Sequence, residues 1–158
     1  LGSVKARVLM TKIVKTDNTN QDFKNLVKEL DAYLKVTDGD EHDFYNQFNS
    51  LEKIKNVVVA YKEGIPIGCG AFRKVDDSSV EIKRMYVKPT ERGSGIAKEI
   101  LNFLETWAKE NKFQRCILET GDRQVEAVRF YQKLGYYRIP NYEQYTEMEN
   151  SLCFEKTI

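Results

Sequence analysis

Apolar residues recur with helical spacing near the start of the chain. Their intervals of three, one, three and four residues place one set on a single helix face: Phe23, Leu26, Val27, Leu30 and Leu34. Residues 18–20 (Asn-Thr-Asn) offer N-caps for this helix, and residues 38–40 (Asp-Gly-Asp) end it. The β-branched run over residues 7–14 predicts a strand before the helix, and residues 41–50 predict a short second helix after it.

Strand patterns dominate the middle of the chain. Residues 57–61 and 67–75 are apolar segments separated by a Lys-Glu-Gly turn, so they predict a hairpin. Residues 80–87 alternate polar and apolar side chains, which indicates a third strand. Three successive strands joined by short turns predict an antiparallel meander.

The period changes to that of a helix after the meander. An apolar stripe predicts a helix over residues 95–111: Ile96, Ile100, Leu101, Leu104, Trp107 and Ala108. A compact strand follows at 116–119, and a helix at 124–134 ends at a glycine. Residues 136–139 and 152–154 predict two late strands. The order β-α-α-β-β-β-α-β-α-β-β predicts a mixed α/β fold.

Composition narrows the class of protein. The 158 residues are 41% hydrophobic and 31% charged, which suits one folded domain with a substantial core. We set residues 1–3 aside as a processed end and expect a single domain over residues 4–158. Lys and Arg number 25 and Asp and Glu 24, so the charge gives no reason to expect a nucleic acid partner. No segment approaches the ~20 apolar residues of a membrane span.

Histidine and cysteine are too sparse for most metal sites and for most His-dependent nucleophiles. The chain has one His, and its three cysteines, Cys69, Cys116 and Cys153, lie far apart in apolar runs. We therefore expect reduced, buried thiols, a cytoplasmic protein and no metal. The chemistry must then use carboxylates, tyrosines, backbone groups or a co-substrate.

A glycine turn after the third meander strand carries the most specific pattern. Residues 92–97 read Arg-Gly-Ser-Gly-Ile-Ala and lead into the amphipathic helix. Such a turn directs free backbone N–H groups at one point, with the helix dipole behind them, and so suits phosphate. It lacks the Gly-Lys-Ser/Thr of a Walker loop, and Lys98 stands where a dinucleotide fingerprint needs glycine. It matches [Gln/Arg]-x-x-Gly-x-[Gly/Ala] in full.

This turn and a second motif resemble the GNAT superfamily of acetyl-CoA-dependent N-acetyltransferases. Residues 127–136 (AVRFYQKLGY) are similar to the family's second cofactor helix and the strand after it. The resemblance runs from about Val57 to the C-terminus and is closest to small, stand-alone bacterial members. It implies a mixed, mostly antiparallel sheet of about six to seven strands flanked by helices. One departure is Gln124, where the family often has Asn.

The resemblance implies direct transfer of acetyl from acetyl-CoA to an amine in a ternary complex. The acceptor would be the primary amine of a small molecule or an amino-acid-like compound. The pyrophosphate would bind the backbone of 92–98, and the pantetheine arm would pair with the end of the third meander strand. The implied cofactor-binding residues are Met85, Tyr86, Val87, Arg92, Gly93, Ser94, Gly95, Ile96, Ala97, Lys98, Gln124, Ala127, Phe130 and Tyr131.

The resemblance also implies catalytic residues. Tyr131 matches the family's general acid for the leaving thiolate. Glu81, four residues before Met85, matches the position where some members carry a catalytic glutamate. Glu119 and a water chain are alternative routes for the proton of the amine. Arg84 or Glu119 could face the acceptor, whose pocket four aromatic residues could line: Tyr45, Phe48, Tyr142 and Tyr145.

Two alternative functions make different predictions. A catalytically inactive CoA-binding or sensing module would bind the cofactor without transferring acetyl. A dinucleotide-binding domain fails at Lys98 and does not suit the meander. Pairing through late strands is common in the family, so the resemblance allows for a homodimer.

Overall fold

The computed structural model describes residues 11–39 and 51–158. Its seven strands form one sheet in the order β1-β2-β3-β4-β5-β7-β6. The strands are β1 (Thr11–Thr16), β2 (Asn56–Lys62), β3 (Ile65–Lys74), β4 (Ser79–Val87), β5 (Arg115–Gly121), β6 (Tyr137–Ile139) and β7 (Ser151–Thr157). The α-helices of the described residues are α1 (Gln21–Asp38), α2 (Ile96–Glu110) and α3 (Val125–Lys133). Short 3-10 turns occupy Pro89–Glu91 and Glu143–Tyr145.

The predicted mixed, mostly antiparallel sheet is confirmed. Strands β2 to β4 form the predicted meander, and β1 adds to it by pairing antiparallel with β2. Strand β7 pairs antiparallel with both β5 and β6. Among the strands of the described residues, only β4 and β5 pair in parallel, and their ladder joins Ser79–Glu81 to residues 115–117. Beyond Glu81 no ladder joins the two strands, although β4 continues to Val87 and β5 to Gly121.

Most predicted elements agree with the structure to within two residues, but β7 is longer than predicted. The apolar strand pattern near the C-terminus covers only residues 152–154, whereas β7 runs over Ser151–Thr157. Its last residues are polar and are held by pairing with β5, where Thr157 lies opposite Arg115. The first predicted strand is observed over Thr11–Thr16. The predicted short helix at 41–50, which contains His42, Tyr45 and Phe48, lies outside the described residues.

Local sequence explains where α1 forms. Asn20 caps its start, because the side-chain oxygen accepts a hydrogen bond from the Phe23 N–H at 2.9 Å. The predicted apolar face is buried as expected: Phe23, Leu26, Val27 and Leu30. The helix ends at Asp38, because the backbone of Gly39 has a φ of 59° and leaves the helical conformation.

Alternation along the strands divides the core between the two faces of the sheet. Val57 and Val59 of β2 pack beneath α1, whereas Val58 and Ala60 pack beneath α2. Tyr131 of α3 joins the second of these cores. The prediction of buried, unpaired thiols is confirmed for all three cysteines. Burial raises the pKa of the Cys69 thiol to about 12, so it stays protonated and unreactive.

The fold requires glycine at position 70, because α2 packs directly on β3 there. A Cβ at Gly70 would lie 2.6 Å from the Met85 Sδ, 2.8 Å from the Ile100 Cγ2 and 2.9 Å from the Leu104 Cδ1. We expect Gly70→Ala to lower the free energy of unfolding by about 1–3 kcal/mol through overpacking, measured by urea denaturation. Gly121→Ala is the matched control, since its nearest neighbour would lie at 3.8 Å. Equal midpoints for the two variants would contradict this packing.

Candidate active site

A cleft of about 890 Å³ opens where β4 and β5 separate. Its walls are the second half of α1, the end of β4, the glycine turn before α2, the end of β5 and one face of α3. All the cofactor residues implied by the sequence line this cleft except Ser94. The Ser94 hydroxyl donates to the Glu91 carbonyl at 2.6 Å instead, and so stabilises the turn.

The glycine turn presents an open helix N-terminus to the cleft. Gly93 and Gly95 have φ values of 83° and 86°. Residues other than glycine rarely adopt this region. A Cβ on either residue would meet nothing within 4 Å, so the space beside the turn is free. No side chain caps the first turn of the 15-residue helix α2. Its N–H groups and the helix dipole can therefore bind an anion.

Arg92 adds a positive charge beside this turn. Its Nε donates to the Val87 carbonyl at 3.1 Å, and its guanidinium lies 5.5 Å from the Tyr33 ring and 6.0 Å from the Tyr86 ring. These contacts hold the guanidinium between α1 and β4, at the edge of the cleft. Tyr33 and Tyr86 therefore help to fix the position of the Arg92 guanidinium. The sequence motif alone predicts this positive charge only as part of the turn.

Gln124 supplies an unused hydrogen-bond donor at the start of α3. The residue is 8% exposed, and its Nε2 has no hydrogen-bond partner within the part of the chain that the structure describes. A buried donor without a partner costs about 1–3 kcal/mol, which an acceptor on a ligand can recover. Although the family often has Asn here, the longer side chain of Gln124 still lines the cleft. The site therefore fits an elongated ligand with a terminal phosphate and amide groups.

Tyr131 faces the cleft from α3 and is otherwise packed in the core. It is 8% exposed, and its ring makes edge contacts with Phe130 and Tyr136 at centroid distances of 5.2 and 5.6 Å. Burial raises the pKa of the Tyr131 phenol above its ordinary value. Its hydroxyl therefore remains a proton donor throughout the physiological pH range.

Glu81 lies in the cleft wall, but other residues already occupy both of its oxygens. Its Oε1 accepts from the Arg73 Nε at 2.6 Å and lies 3.6 Å from the Lys83 Nζ. Its Oε2 accepts from the Tyr142 hydroxyl at 2.5 Å. Glu81 is 1% exposed, so this network is nearly dry. Arg73 also pairs with Glu143 at 2.7 Å, which ties the loop before β7 to the meander.

Glu119, at the end of β5, is a second buried carboxyl group of the cleft wall. Burial raises the pKa of Glu119 to about 7. The negative charge of Glu81 acts in the same direction, whereas the hydrogen bond from Ser151 Oγ, at 2.7 Å, acts against it. This carboxyl group therefore exchanges its proton near neutral pH.

The cleft wall also contains two charged residues beside the bulge in β4. Arg84 has a φ of 59°, opposite a register shift in β3, and its Nη2 donates to Asp31 of α1 at 2.5 Å. Burial lowers the pKa of Lys83, the residue before it. Sequence reasoning placed Arg84 near the acceptor but missed Lys83, Asp31 and Ser151. The alternation of β4 puts Lys83 on the same face as Glu81, which was the available signal for it.

Tyr142 and Tyr145 have separate positions in the loop between β6 and β7. Tyr145 is 4% exposed and lines the cleft, whereas Tyr142 bonds to Glu81. The Asn141 amide contacts three carbonyl groups of this loop and its end, on Tyr145, Met148 and Ser151. The loop is therefore held by polar contacts on both sides of the two tyrosines.

Residues 11–39 and 51–158 provide neither a metal-binding cluster nor a membrane-crossing helix. No group of three or more His, Cys, Asp or Glu side chains in these ranges is arranged to hold a metal ion. No helix in the same ranges has the length and hydropathy needed to cross a bilayer.

Comparison with known proteins identifies the family of this chain. Residues 23–136 match the model of the Acetyltransferase (GNAT) family. The IAA acetyltransferase of Azospirillum brasilense is 31% identical over 135 residues, which cover 84% of this chain and 88% of that protein.

Solved structures share the fold over nearly the whole chain. A Klebsiella pneumoniae protein assigned to the acyl-CoA N-acyltransferases has a TM-score of 0.79 and 26% identity, covering 94% of this chain and 97% of its own. A GNAT family acetyltransferase from Elizabethkingia anophelis, with acetyl-CoA bound, has a TM-score of 0.69 and 18% identity, covering 94% and 99%. The family model covers the glycine turn, α3 and the two strands, β4 and β5, that flank the cleft. This chain therefore belongs to the GNAT family of acetyltransferases.

Proposed function

We propose that this protein transfers acetyl from acetyl-CoA to the primary amine of a small or amino-acid-like acceptor, by direct transfer in a ternary complex. The observation that carries the proposal is one cleft with two complementary ends. At one end the uncapped N-terminus of α2 meets open space. At the other end lies Glu119, a carboxyl group with its pKa raised to about 7.

The cofactor would bind across the gap between β4 and β5. The N–H groups of residues 92–98 suit the pyrophosphate, and Arg92 adds positive charge. Gln124 Nε2 is positioned to donate to an amide carbonyl of the pantetheine arm. The segment Met85–Val87 lies beyond the end of the β4–β5 ladder, so its backbone is suited to pair with the arm as an added strand.

Glu119 is the general base that the electrostatics favour. An alkyl ammonium has a pKa near ~10.4 and must lose a proton before its nitrogen can attack. A carboxylate with a pKa of about 7 is a stronger base than an ordinary one near ~4.3. Glu81, the first candidate from sequence, has its oxygens engaged by Arg73 and Tyr142. We therefore assign Glu81 an indirect role, in which its charge raises the pKa of Glu119.

Tyr131 would act on the leaving sulfur. A thiol ionises near ~8.5 and a free phenol near ~10, and burial raises the pKa of this phenol further. Complete proton transfer from Tyr131 to a free thiolate is therefore uphill. The contribution we propose is a hydrogen bond that strengthens as negative charge develops on sulfur, which is a stabilisation of the transition state.

Incubating the protein with acetyl-CoA and a panel of primary amines tests the function. We expect release of free CoA thiol with at least one amine, detected with a thiol reagent. Gly95→Glu is the matched control, because bulk and negative charge would enter the open space where the pyrophosphate binds. That variant should lose both CoA binding and turnover. Tight CoA binding by the wild type, without amine-dependent thiol release, would indicate a binding or sensing module instead.

The pH dependence of turnover distinguishes the two glutamates. For wild type, kcat/KM should rise as pH increases through about 7, because Glu119 must be ionised to accept a proton. Glu119→Gln should remove this step and lower kcat by about 10²–10⁴-fold. Glu81→Gln should retain the step but move it to lower pH, since it removes a negative charge that raises the pKa of Glu119. The opposite pattern would make Glu81 the base.

Replacing the Tyr131 hydroxyl should affect chemistry more than binding. We expect Tyr131→Phe to lower kcat at least about tenfold and leave the KM for acetyl-CoA nearly unchanged, because the lost hydrogen bond forms as sulfur becomes charged. Tyr137→Phe is the control, since this tyrosine is half exposed and bonds to Glu155 away from the cleft. A change in KM alone would assign Tyr131 to cofactor binding only.

A further inference from the structure

We propose that Lys83 is itself an acetyl acceptor, so that without an external amine the enzyme acetylates its own Lys83 Nζ. The inference rests on the proposed function, because acetyl-CoA must bind in the cleft for the reaction to occur. The assigned residue is an amine of the chain that already lines the acetyl-transfer cleft.

The position of Lys83 in β4 directs it toward the acceptor side. Val80 and Ile82 join the core beneath α2, so the alternate residues, Glu81 and Lys83, face the opposite side of the sheet. That side is the one covered by α1. Lys83 also stands two residues before Met85, in the strand whose end is suited to pair with the pantetheine arm. Its side chain therefore starts close to where the acetyl group would lie.

Lys83 is enclosed rather than solvated. Its side chain is 8% exposed, and its Nζ lies 3.6 Å from the Glu81 Oε1. Two other lysines line the cleft in the described part of the chain, Lys98 and Lys133, and both are exposed. Both also belong to the elements that form the cofactor end, α2 and α3. Lys83 alone of these three combines enclosure with an ion pair to Glu81.

The burial of Lys83 favours a neutral amine more than the environment of a surface lysine does. Burial lowers its pKa, and Arg73 and Arg84 add to that effect, whereas Glu81 and Glu119 oppose it. Glu81 contacts Arg73 at 2.6 Å, closer than it lies to Lys83, so its negative charge is shared. Each unit by which a lysine pKa falls multiplies the neutral, nucleophilic fraction near pH 7 about tenfold.

The reaction balances with acetyl-CoA as the only co-reactant. The Lys83 ammonium loses one proton, which Glu119 accepts and passes to solvent. The Nζ lone pair then attacks the thioester carbonyl, the N–C bond forms, and the C–S bond breaks. The nitrogen then loses its second proton, and CoA leaves as the thiolate and takes up one proton to become the thiol. The products are Nζ-acetyl-lysine, CoA thiol and one proton.

Mass spectrometry of the full chain tests the inference. The purified protein is incubated with acetyl-CoA at pH 7 without an added amine, and intact mass and peptide maps are recorded over time. We expect the mass of one acetyl group to be added per chain, with Lys83 as its site. Its acetylation should be at least about tenfold faster than that of Lys74, which lies at the end of β3 with a 61% exposed side chain.

Two variants provide matched comparisons. Lys83→Arg should remove the fast acetylation, whereas Lys74→Arg should retain it. Lys83→Arg alters a buried network, so misfolding of this variant would also abolish the fast acetylation. The wild-type peptide map identifies the acetylated lysine without relying on the folding of any variant. Gly95→Glu should lose the Lys83 modification but keep slow acetylation of exposed lysines, because that background reaction needs no bound cofactor.

Other outcomes would overturn the inference. Acetylation spread over exposed lysines with Lys83 unmodified would refute it, whether or not the protein turns over added amines. If amine-dependent thiol release is observed in that case, only the inference fails. If CoA does not bind the wild-type protein, the proposed function fails as well.

Discussion

The parallel ladder between β4 and β5 ends after Glu81 and Ile117, and the rest of the site depends on that early ending. Hydrogen bonding between the two strands would otherwise occupy the backbone of Met85–Val87 and close the sheet. A non-glycine residue at positive φ, Arg84, bends β4 just past the last pair, and its ion pair with Asp31 holds the bend against α1. The gap is therefore part of the sheet itself rather than a space between domains.

A buried charge network supports the side of this gap away from the cofactor turn. Glu81 joins Arg73 of β3, Lys83 of β4 and Tyr142 of the loop before β7. Because a buried carboxylate is costly without partners, the network fixes where the loop lies and places Tyr145 in the cleft wall. The same negative charge raises the pKa of Glu119. One residue thus shapes the pocket and adjusts the basicity of its neighbour.

Local patterns were enough to predict the helices, the meander and the glycine turn, because each depends on residues adjacent in sequence. The spacing of Phe23 to Leu34 and the phosphate turn at 92–97 are examples. The states of the two glutamates could not be predicted in this way. Glu81 and its partner Tyr142 are 61 residues apart, and Glu119 and Ser151 are 32 apart. The length of β7 also depended on a distant strand rather than on its own polar residues.

The contrast between Glu81 and Glu119 indicates how a chain with one histidine can perform proton transfer near neutral pH. Burial and the negative charge of Glu81 both raise the pKa of Glu119, so the two carboxyl groups are suited to different roles. Arg73 and the Tyr142 hydroxyl stabilise the charge on Glu81. Glu119 accepts a hydrogen bond from Ser151 that only partly offsets its burial, so its pKa is raised to about 7. In the proposed mechanism the sheet therefore supplies a base of intermediate strength without histidine.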